Sequence, residues 1–503
     1  MFTIDFTSSE CGLCETICNE IRKEIFCGKL EPNERLPSKR ALAEHLGVSV
    51  ITVQNAYSEL IAEGYIYSIE KKGFFVTDLA DVAVVGRSKN EIQSEIQNTS
   101  TEKNARQEKK ADFLADFSSN STNPKNFPFS LWAHLMRKVL TDENLKSRIL
   151  ERVNVSGVWE LRLAISEHLR DFRNMNVSPN KIVIVSGTES ACSMIVQLLG
   201  NEKIYAVENP GYHKVAKVFS LNGANVIPIK IDEFGVNPCE LEKINAKVVH
   251  VSSSHHFPTG IIMPARRRFE LLSWAEKNDA YIIEDEYDSE FRLNGKPLPS
   301  LLSSNNSRVI YMNTFSKTLT PSFRISYMIL PDSLVEKFNE KLGFYSCSVS
   351  AFEQFALAKF IECGFYEKHI IRMKNYYRNL RNNFISALNS SSLKDIVVIH
   401  EENSGLHFLL RLKNDSSDEK NSADSIKRIH ARLLKEKINI QLLSDFFYDD
   451  ENDKNFYEKN FYKDSFVLNY SGIEREKIPE IVKKMENAFA DVNSESESKK
   501  KEN

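Results

Sequence analysis

Apolar residues recur at helical spacing in three consecutive segments near the start of the chain. In the first segment, Cys14, Cys18 and Ile21 share one face of a predicted helix. Ser38 and Ser49 are suited to cap a second and a third helix, and glycines end the first two. Two helices joined by a short glycine turn are typical of a helix-turn-helix, in which the later helix enters a DNA groove.

Alternating apolar and polar residues follow in the stretch YIYSIEKKGFFV. The turn at Lys71, Lys72 and Gly73 divides it into two strands, which predicts a two-stranded wing. A winged helix-turn-helix is therefore expected over residues 1–77. Residues 78–115 are polar and charged without an apolar period and predict a flexible linker, and residues 493–503 predict a disordered tail.

Between residues 116 and 492, short apolar runs alternate with stretches of helical periodicity. The runs are KIVIVSG, KIYAVE, ANVIPIK, KVVHVSS, AYIIEDE, RVIYMNT and ISYMILP. Nearly continuous apolar strands separated by helices predict an α/β domain, with a mostly parallel sheet covered by helices on both faces. In such sheets the ligand lies beyond the carboxyl ends of the strands.

Composition and charge exclude some classes of protein. The 503 residues carry a net charge of −3, so any DNA contact is local rather than spread over the chain. The chain has no run of eighteen apolar residues, no signal-peptide pattern and no disulfide framework among its eight cysteines, so we expect a cytoplasmic protein without a membrane partner. Cys11, Cys14 and Cys18 lack a fourth ligand, so we predict packing rather than a metal site.

Polar residues follow the predicted strands at their carboxyl ends. The turn from Ser186 to Thr188 opens a helix, where free N–H groups suit a phosphate. An aromatic residue, a carboxylate and an amine follow three other strands at Tyr212, Asp285 and Lys317. Taken singly, each of these features is more often structural than functional. Their order along one predicted sheet edge is what indicates a binding site.

In combination, these features resemble the fold-type I pyridoxal-phosphate enzymes of the aminotransferase family over most of residues 116–492. The phrases VENPGY, SSHHFPTG, IIEDEYDSEFR and NTFSKTLTPSFR are similar to those of MocR-type regulators. In that group an aminotransferase-like domain follows a GntR-type winged helix, and the GntR motif resembles LPSKRALAEHLGVSVITVQNAYSELIAEGYI here. The resemblance implies a winged helix-turn-helix joined by a linker to a fold-type I domain.

The resemblance also implies roles in binding pyridoxal 5'-phosphate. Lys317 would form a Schiff base with the cofactor aldehyde, and Asp285 would keep the pyridine nitrogen protonated. The other implied cofactor contacts are Tyr212, Tyr287 and His255 around the ring, Ser316 beside the lysine, and Ser186, Gly187, Thr188, Thr314 and Arg324 around the phosphate.

For the winged helix, the resemblance implies contacts with double-stranded operator DNA. The implied residues are Arg40, Ser49, Thr52, Gln54, Lys71 and Lys72. The chain departs from the family at Val50, where a basic residue is usual. Acidic residues outnumber basic ones over residues 1–77, eleven against eight, so binding as a dimer is expected. The resemblance implies a head-to-tail homodimer in which each DNA-binding domain rests on the other subunit.

Three functions remain open from the sequence. The first is a transcriptional regulator whose DNA affinity responds to pyridoxal phosphate, or to an amine that reacts with it. The alternative is an active aminotransferase with a fused DNA-binding module, and the third is a cofactor-binding scaffold with neither activity. Asp445 stands where relatives often carry an arginine for a substrate carboxylate, and Lys214 or Arg411 are the possible substitutes. The missing arginine and the complete helix-turn-helix motif favour the regulator, with residual aminotransferase activity left open.

Overall fold

A computed structural model describes the chain in two compact units, residues 1–110 and 111–503. The described residues are 12–78, 113–118, 123–293, 299–304, 307–400, 405–413, 419–448 and 465–501. Most of the predicted linker, residues 79–112, lies outside them. Within these ranges the structure contains no helix that is both long and apolar enough to cross a membrane.

The first unit contains three helices and a hairpin. Their bounds are α1 Leu13–Phe26, α2 Lys39–Leu46, α3 Val50–Ala62, β1 Ile66–Ile69 and β2 Gly73–Val76. Both predicted caps are formed, because the hydroxyl of Ser38 accepts from the Ala41 N–H at 3.2 Å and that of Ser49 from the Thr52 N–H at 3.0 Å. These elements agree with the winged helix-turn-helix predicted from the sequence.

The apolar faces of the three helices meet in one small core. Cys18 and Ile21 of α1 pack with Leu42 of α2 and with Val53 and Tyr57 of α3, and all five are fully buried. This shared core fixes the angle between α2 and α3, and the faces of the two helices that point away from the core stay exposed.

The second unit alternates strands and helices. Its strands are β3 Ala115–Asp116, β4 Ile182–Val185, β5 Ile204–Asn209, β6 Asn225–Asp232, β7 Gly235–Val236, β8 Val248–Val251, β9 Tyr281–Asp285, β10 Val309–Thr314, β11 Ser326–Ile329, β12 Val397–His400, β13 His407–Leu412, β14 Ile438–Asn439, β15 Gln441–Leu442 and β16 Ser465–Asn469. Its helices are α4 Phe129–Thr141, α5 Glu143–Leu150, α6 Trp159–Arg173, α7 Thr188–Leu199, α8 His213–Leu221, α9 Pro238–Lys243, α10 Ala265–Lys277, α11 Phe315–Thr318, α12 Asp332–Leu342, α13 Ala351–Glu362, α14 Phe365–Asn389, α15 Glu419–Lys435 and α16 Ile478–Lys501.

An eight-stranded sheet with the order β4-β11-β10-β9-β8-β5-β6-β7 forms the centre of this unit. All seven apolar runs form strands of this sheet. Neighbouring strands from β10 to β6 are parallel, whereas β11 and the short β7 run antiparallel to their neighbours. The prediction of a mostly parallel sheet is confirmed, and ISYMILP supplies the antiparallel strand β11.

Helices cover both faces of the sheet, as predicted. Ile182 and Ile184 of β4 pack in one core with α4, α6 and α13, whereas Val183 and Val185 pack in another with α7, α8 and α12. Successive residues of a strand point to opposite faces, so two covered faces account for the continuous apolar run.

A second, four-stranded antiparallel sheet with the order β12-β13-β16-β15 packs with α14, α15 and α16. The strand β3 pairs with β14 from Ala115 onward, one residue before the predicted domain boundary. The backbone of α16 is helical to Lys501, which differs from the disordered tail predicted over 493–503. Residues 493–501 consist of Asn, Ser, Glu and Lys, without a Gly or Pro that would end the helix.

Candidate functional site

The parallel strands β4, β5, β8, β9 and β10 all end at one edge of the large sheet, where a cavity of about 410 Å³ opens. Eight of the eleven residues predicted around a cofactor line it. They are Thr188, Tyr212, Asp285, Tyr287, Thr314, Ser316, Lys317 and Arg324. Residues that are up to 136 positions apart in the sequence are therefore brought together by the sheet.

Lys317 reaches this cavity because a very short helix, α11, begins where β10 ends. Thr314 caps that helix, and its hydroxyl accepts from the Ser316 N–H at 3.1 Å. The Lys317 Nζ lies 5.8 Å from the centroid of the Tyr287 ring. Lys317 is half-buried and lines the cavity. Burial lowers the pKa of Lys317 to about 8, against the opposing charge of Asp288.

Asp285 is the last residue of β9 and is 8% exposed. Its Oδ2 lies 3.4 Å from the Nε2 of His250, which is buried on the adjacent strand β8. The neighbouring imidazole fixes the position of the Asp285 carboxylate, which can then offer its negative charge to a ligand in the cavity.

A second group of charges lies where β4 turns into α7. Gly187 has a φ of +94°, a backbone conformation that would be strained for a residue with a side chain. As the N-cap of α7, this glycine leaves the first N–H groups of the helix at the cavity. The Arg324 Nη2 lies 3.4 Å from the Ser186 carbonyl oxygen and 2.5 Å from Glu189 Oε2. Backbone N–H groups and a guanidinium at a helix N-terminus form an arrangement suited to an anion.

Three predicted cofactor residues do not line the cavity. Ser186 and Gly187 directly precede the lining residue Thr188 in the chain, and the Ser186 hydroxyl accepts a hydrogen bond from Ser348 at 2.9 Å. His255, predicted near the ring oxygen, is buried with its Nδ1 2.9 Å from Asp288 Oδ1. The Asp288 carboxylate thus engages this imidazole, and the backbone carbonyl oxygen of His255 accepts a hydrogen bond from the Tyr287 hydroxyl at 3.0 Å.

Sequence reasoning missed several residues that line the cavity. They include Glu189, Cys192, His250, Ser252, Phe257 and Asn469. One signal was available, because His250 is a polar residue inside the apolar run KVVHVSS. Glu189 gave no such signal, since an acid in the first turn of a helix is ordinary compensation of the helix dipole.

The structure also shows the positions of the three residues considered for binding a substrate carboxylate. Asp445 accepts a hydrogen bond from the Leu442 N–H at 3.2 Å, so its carboxylate stabilises a turn of the chain. Lys214 lines the cavity, with its Nζ 2.9 Å from Glu189 Oε1. Arg411 lies on β13 and is absent from the described residues that line the cavity.

The predicted DNA-contacting residues lie on the first unit, on α2, α3 and the wing. Arg40, Gln54 and the wing lysines Lys71 and Lys72 are exposed. The hydroxyls of Ser49 and Thr52 lie 2.8 Å apart at the start of α3. In the unbound chain these two hydroxyls stabilise the helix N-terminus.

Cys14 and Cys18 of α1 pack as the sequence predicts, whereas Cys11 lies outside the described residues. Cys18 is fully buried, its thiol donates to the Ala56 carbonyl oxygen at 3.5 Å, and burial raises its pKa to about 12. Ligand atoms of Cys14, Cys18 and Glu59 lie within 4.8 Å of one another. Glu59 Oε1 is 3.2 Å from the Arg22 guanidinium, which already supplies a positive charge there. The expectation of no metal stays a prediction.

Comparisons with known proteins assign both units. Residues 13–76 match the bacterial regulatory proteins of the gntR family, and residues 119–453 match aminotransferase class I and II. The HTH-type transcriptional regulator YhdI of Bacillus subtilis is 37% identical over 82% of this chain and 85% of its own length. The probable rhizopine catabolism regulatory protein MocR of Rhizobium meliloti is 32% identical over 80% of this chain and 82% of its own.

The chain belongs to the MocR-type regulators of the GntR family. It combines a DNA-binding domain with an aminotransferase-like domain that binds pyridoxal phosphate, as predicted. Solved structures agree on the fold of the second unit. An archaeal alanine:glyoxylate aminotransferase superposes with a TM-score of 0.63 at 22% identity, covering 78% of this chain and 94% of its own.

The side chains of this MocR-type regulator fit pyridoxal phosphate at its cavity. The buried Ser316 Oγ has no hydrogen-bond partner among the described residues, although it lies at the cavity wall. A phosphate oxygen satisfies such a hydroxyl. Lys317 and Asp285, which also line the cavity, are a primary amine and a carboxylate, the groups that would suit the cofactor aldehyde and its pyridinium.

Proposed function

We propose that pyridoxal phosphate, or an amine that reacts with it, controls the DNA affinity of this regulator. One observation carries the proposal. Among the described residues that line the cavity, the lysines and arginines are Lys214, Lys317 and Arg324, and Glu189 pairs with two of them. An aminotransferase needs a cation that grips the substrate carboxylate, commonly a forked arginine. The cavity therefore favours sensing over amino-acid turnover.

Several of the predicted cofactor residues that line the cavity have a proposed role in binding pyridoxal phosphate. When bound, the cofactor supplies an aldehyde that condenses with amines and a ring that withdraws electrons. Lys317 would hold the cofactor through its Nζ, and Asp285 would keep a proton on the ring nitrogen. Tyr212, which is 43% exposed, covers the ring. The phosphate is bound by Arg324, Ser316 and the N-terminus of α7.

The lining also indicates the chemical class of the amine. Phe117, Phe257, Phe446 and Val467 contribute apolar surface to the cavity. Apolar walls without an unengaged cation favour an amine that carries an apolar or neutral group over an α-amino acid. Transaminase turnover with ordinary amino acids is accordingly expected to be slow or absent.

For the DNA contact, we propose that the N-terminal turn of α3 reads bases in the major groove. Val50 and Ile51 are 43% and 70% exposed there, beside Gln54. Exposed methyl groups at the start of a groove-reading helix suit the methyl group of thymine, whereas the basic residue usual in the family suits guanine. Arg40, Lys71 and Lys72 are assigned to phosphates.

We also propose that the regulator acts as a homodimer. Dimers that bind two half-sites compensate for the weak basic charge of residues 1–77. The second unit exposes Phe344 by 67% and Tyr345 by 39%, with ring centroids 4.3 Å apart. Exposed aromatic side chains of this kind are enriched at interfaces, and a second copy of the chain is the occupant we propose.

Operator binding with and without cofactor tests the proposed control. The DNA is the promoter region upstream of the protein's own coding sequence, and binding is followed by fluorescence anisotropy. We expect the wild-type dissociation constant to change severalfold on addition of pyridoxal phosphate. Lys317→Ala should keep DNA binding but lose the response. Lys277→Ala, an exposed lysine on α10 outside the cavity lining, is the matched control and should respond like wild type.

Two results would contradict the proposal. The first is wild-type protein that binds the promoter DNA equally in both conditions, with no change on adding a panel of amines. The second is rapid multiple turnover with an amino acid, measured by half-reaction spectroscopy, which would favour an active aminotransferase.

A further inference from the structure

One carboxylate at the cavity engages two cations at once. Glu189 Oε2 lies 2.5 Å from the Arg324 Nη2, and Glu189 Oε1 lies 2.9 Å from the Lys214 Nζ. Both oxygens of the carboxylate are therefore occupied, each by a different basic side chain. The three residues come from α7, α8 and the turn before β11, so the tertiary fold alone brings them together.

The carboxylate stays ionised under all ordinary conditions. Partial burial opposes ionisation, but the hydrogen bonds from Lys214 and Arg324 prevail and lower the pKa of Glu189 to about 2. Glu189 is also the second residue of α7, where the helix dipole favours a negative charge. Its negative charge is thus a constant feature of the site at and above about pH 4.

This ion pair lies where a phosphate would bind. A Cβ built on Gly187 would be 2.2 Å from the Arg324 Nη2 and 3.0 Å from Glu189 Oε2. The pair therefore sits directly over the glycine that precedes the free N–H groups of α7. A phosphate that uses both these N–H groups and Arg324 has to share the guanidinium with a neighbouring carboxylate, and the two anions repel each other.

We propose that Glu189 competes with the cofactor phosphate for Arg324 and so weakens the affinity of this chain for pyridoxal phosphate. The inference rests on the proposed function and adds a reason for the residue. A regulator reports the level of a cofactor only when the site empties and refills within the range over which that level varies. An internal anion keeps the binding reversible, whereas an unopposed arginine would hold the phosphate more tightly.

Glu189→Gln tests this inference because glutamine keeps the shape of the side chain and removes its charge. The control is Glu202→Gln, an exposed glutamate that pairs with Lys203 outside the cavity lining. Dissociation constants for pyridoxal phosphate and for pyridoxal, which lacks the phosphate, are measured from the absorbance of the bound form in phosphate-free buffer. For Glu189→Gln we expect about five- to tenfold tighter binding of pyridoxal phosphate, the scale of a partly exposed ionic contact. Pyridoxal should change less than twofold.

A second measurement needs no cofactor. Inorganic phosphate added to the cofactor-free protein should raise the melting temperature of Glu189→Gln more than that of wild type or Glu202→Gln. This arm stays informative if wild-type protein takes up no pyridoxal phosphate, a result that would refute the proposed function by itself. A larger phosphate effect in the variant would then still support competition at Arg324.

Three outcomes would overturn the inference. Weaker binding of pyridoxal phosphate by Glu189→Gln would mean that the carboxylate positions Arg324 for the phosphate. Equal changes for pyridoxal phosphate and pyridoxal would mean that the effect is unrelated to the phosphate. Unchanged affinities together with an unchanged phosphate effect on melting would mean that Glu189 does not compete at all.

Discussion

The pH dependence of cofactor attachment tests the enclosed position of Lys317. Only the neutral amine attacks an aldehyde. Burial moves the pKa of Lys317 from 10.5 to about 8, so its proton leaves more easily than that of an exposed lysine. The fall of the pKa from 10.5 to about 8 raises the neutral fraction of the amine about 300-fold at neutral pH. Attachment to Lys317 should therefore be fast under conditions in which an ordinary lysine is almost unreactive.

Stopped-flow absorbance after mixing cofactor-free protein with pyridoxal phosphate measures this rate. Between pH 6 and pH 10 the rate should rise about tenfold per unit and level off above about 8. Lys317→Ala provides the baseline without covalent attachment. A free lysine derivative, mixed under the same conditions, corrects for the ionisation of the cofactor itself.

Asp288 provides the internal check on the physical cause. Its negative charge favours the protonated amine and so limits the fall in the Lys317 pKa. Asp288→Asn should therefore move the midpoint of the rate profile to lower pH. Asp332→Asn, an exposed aspartate paired with Lys181, is the control and should leave the midpoint in place. A wild-type midpoint near 10.5, or an upward shift in Asp288→Asn, would refute the reasoning.

Three further changes test the rest of the site. Asp285→Asn should weaken cofactor retention and alter the spectrum of the bound form, because the pyridinium loses its counter-charge; unchanged spectra would assign that contact to another acid. Gly187→Ala should weaken pyridoxal phosphate at least tenfold, measured by absorbance titration, since the new methyl group would overlap the Arg324 guanidinium at a φ of +94°. Val50→Arg should shift the sequence selected from random duplex DNA from thymine toward guanine, and an identical selected sequence would contradict the assignment of α3.

The fold was largely predictable from the sequence because its strands are buried on both faces. Seven apolar runs stand out from the helices between them, and all seven became strands of one sheet. The direction of ISYMILP was not predictable, because an antiparallel strand buried on both faces has the same apolar run as a parallel one. Where one helix packs on another, as at Cys18, the spacing of apolar residues was sufficient to predict which face of the helix is buried.

The site was predictable only in part, for an electrostatic reason. Motif positions place a residue at a strand end, and this located Lys317 and Asp285 at the cavity. They do not reveal which buried charges pair with each other. His255 has a motif position next to the site, but its imidazole pairs with Asp288 and is not among the described residues that line the cavity. Glu189 has the sequence position of an acid that compensates a helix dipole, and its contact with Arg324, 135 positions away, is formed only by the tertiary fold.

The pairing of charged side chains at the site is a feature in which a regulator and an enzyme with the same fold can differ. An effector shifts DNA binding only by as much as it prefers one state of the protein over the other. The cofactor can supply such a difference if it changes the pairing of charges at its site, as it would when its phosphate draws Arg324 away from Glu189. Lys214 would then be the cation still held by that carboxylate, and it lies on α8, the helix that begins directly after Tyr212. The rearranged ion pairs would thus reach a second helix of the domain, which an enzyme optimised for turnover has no reason to move.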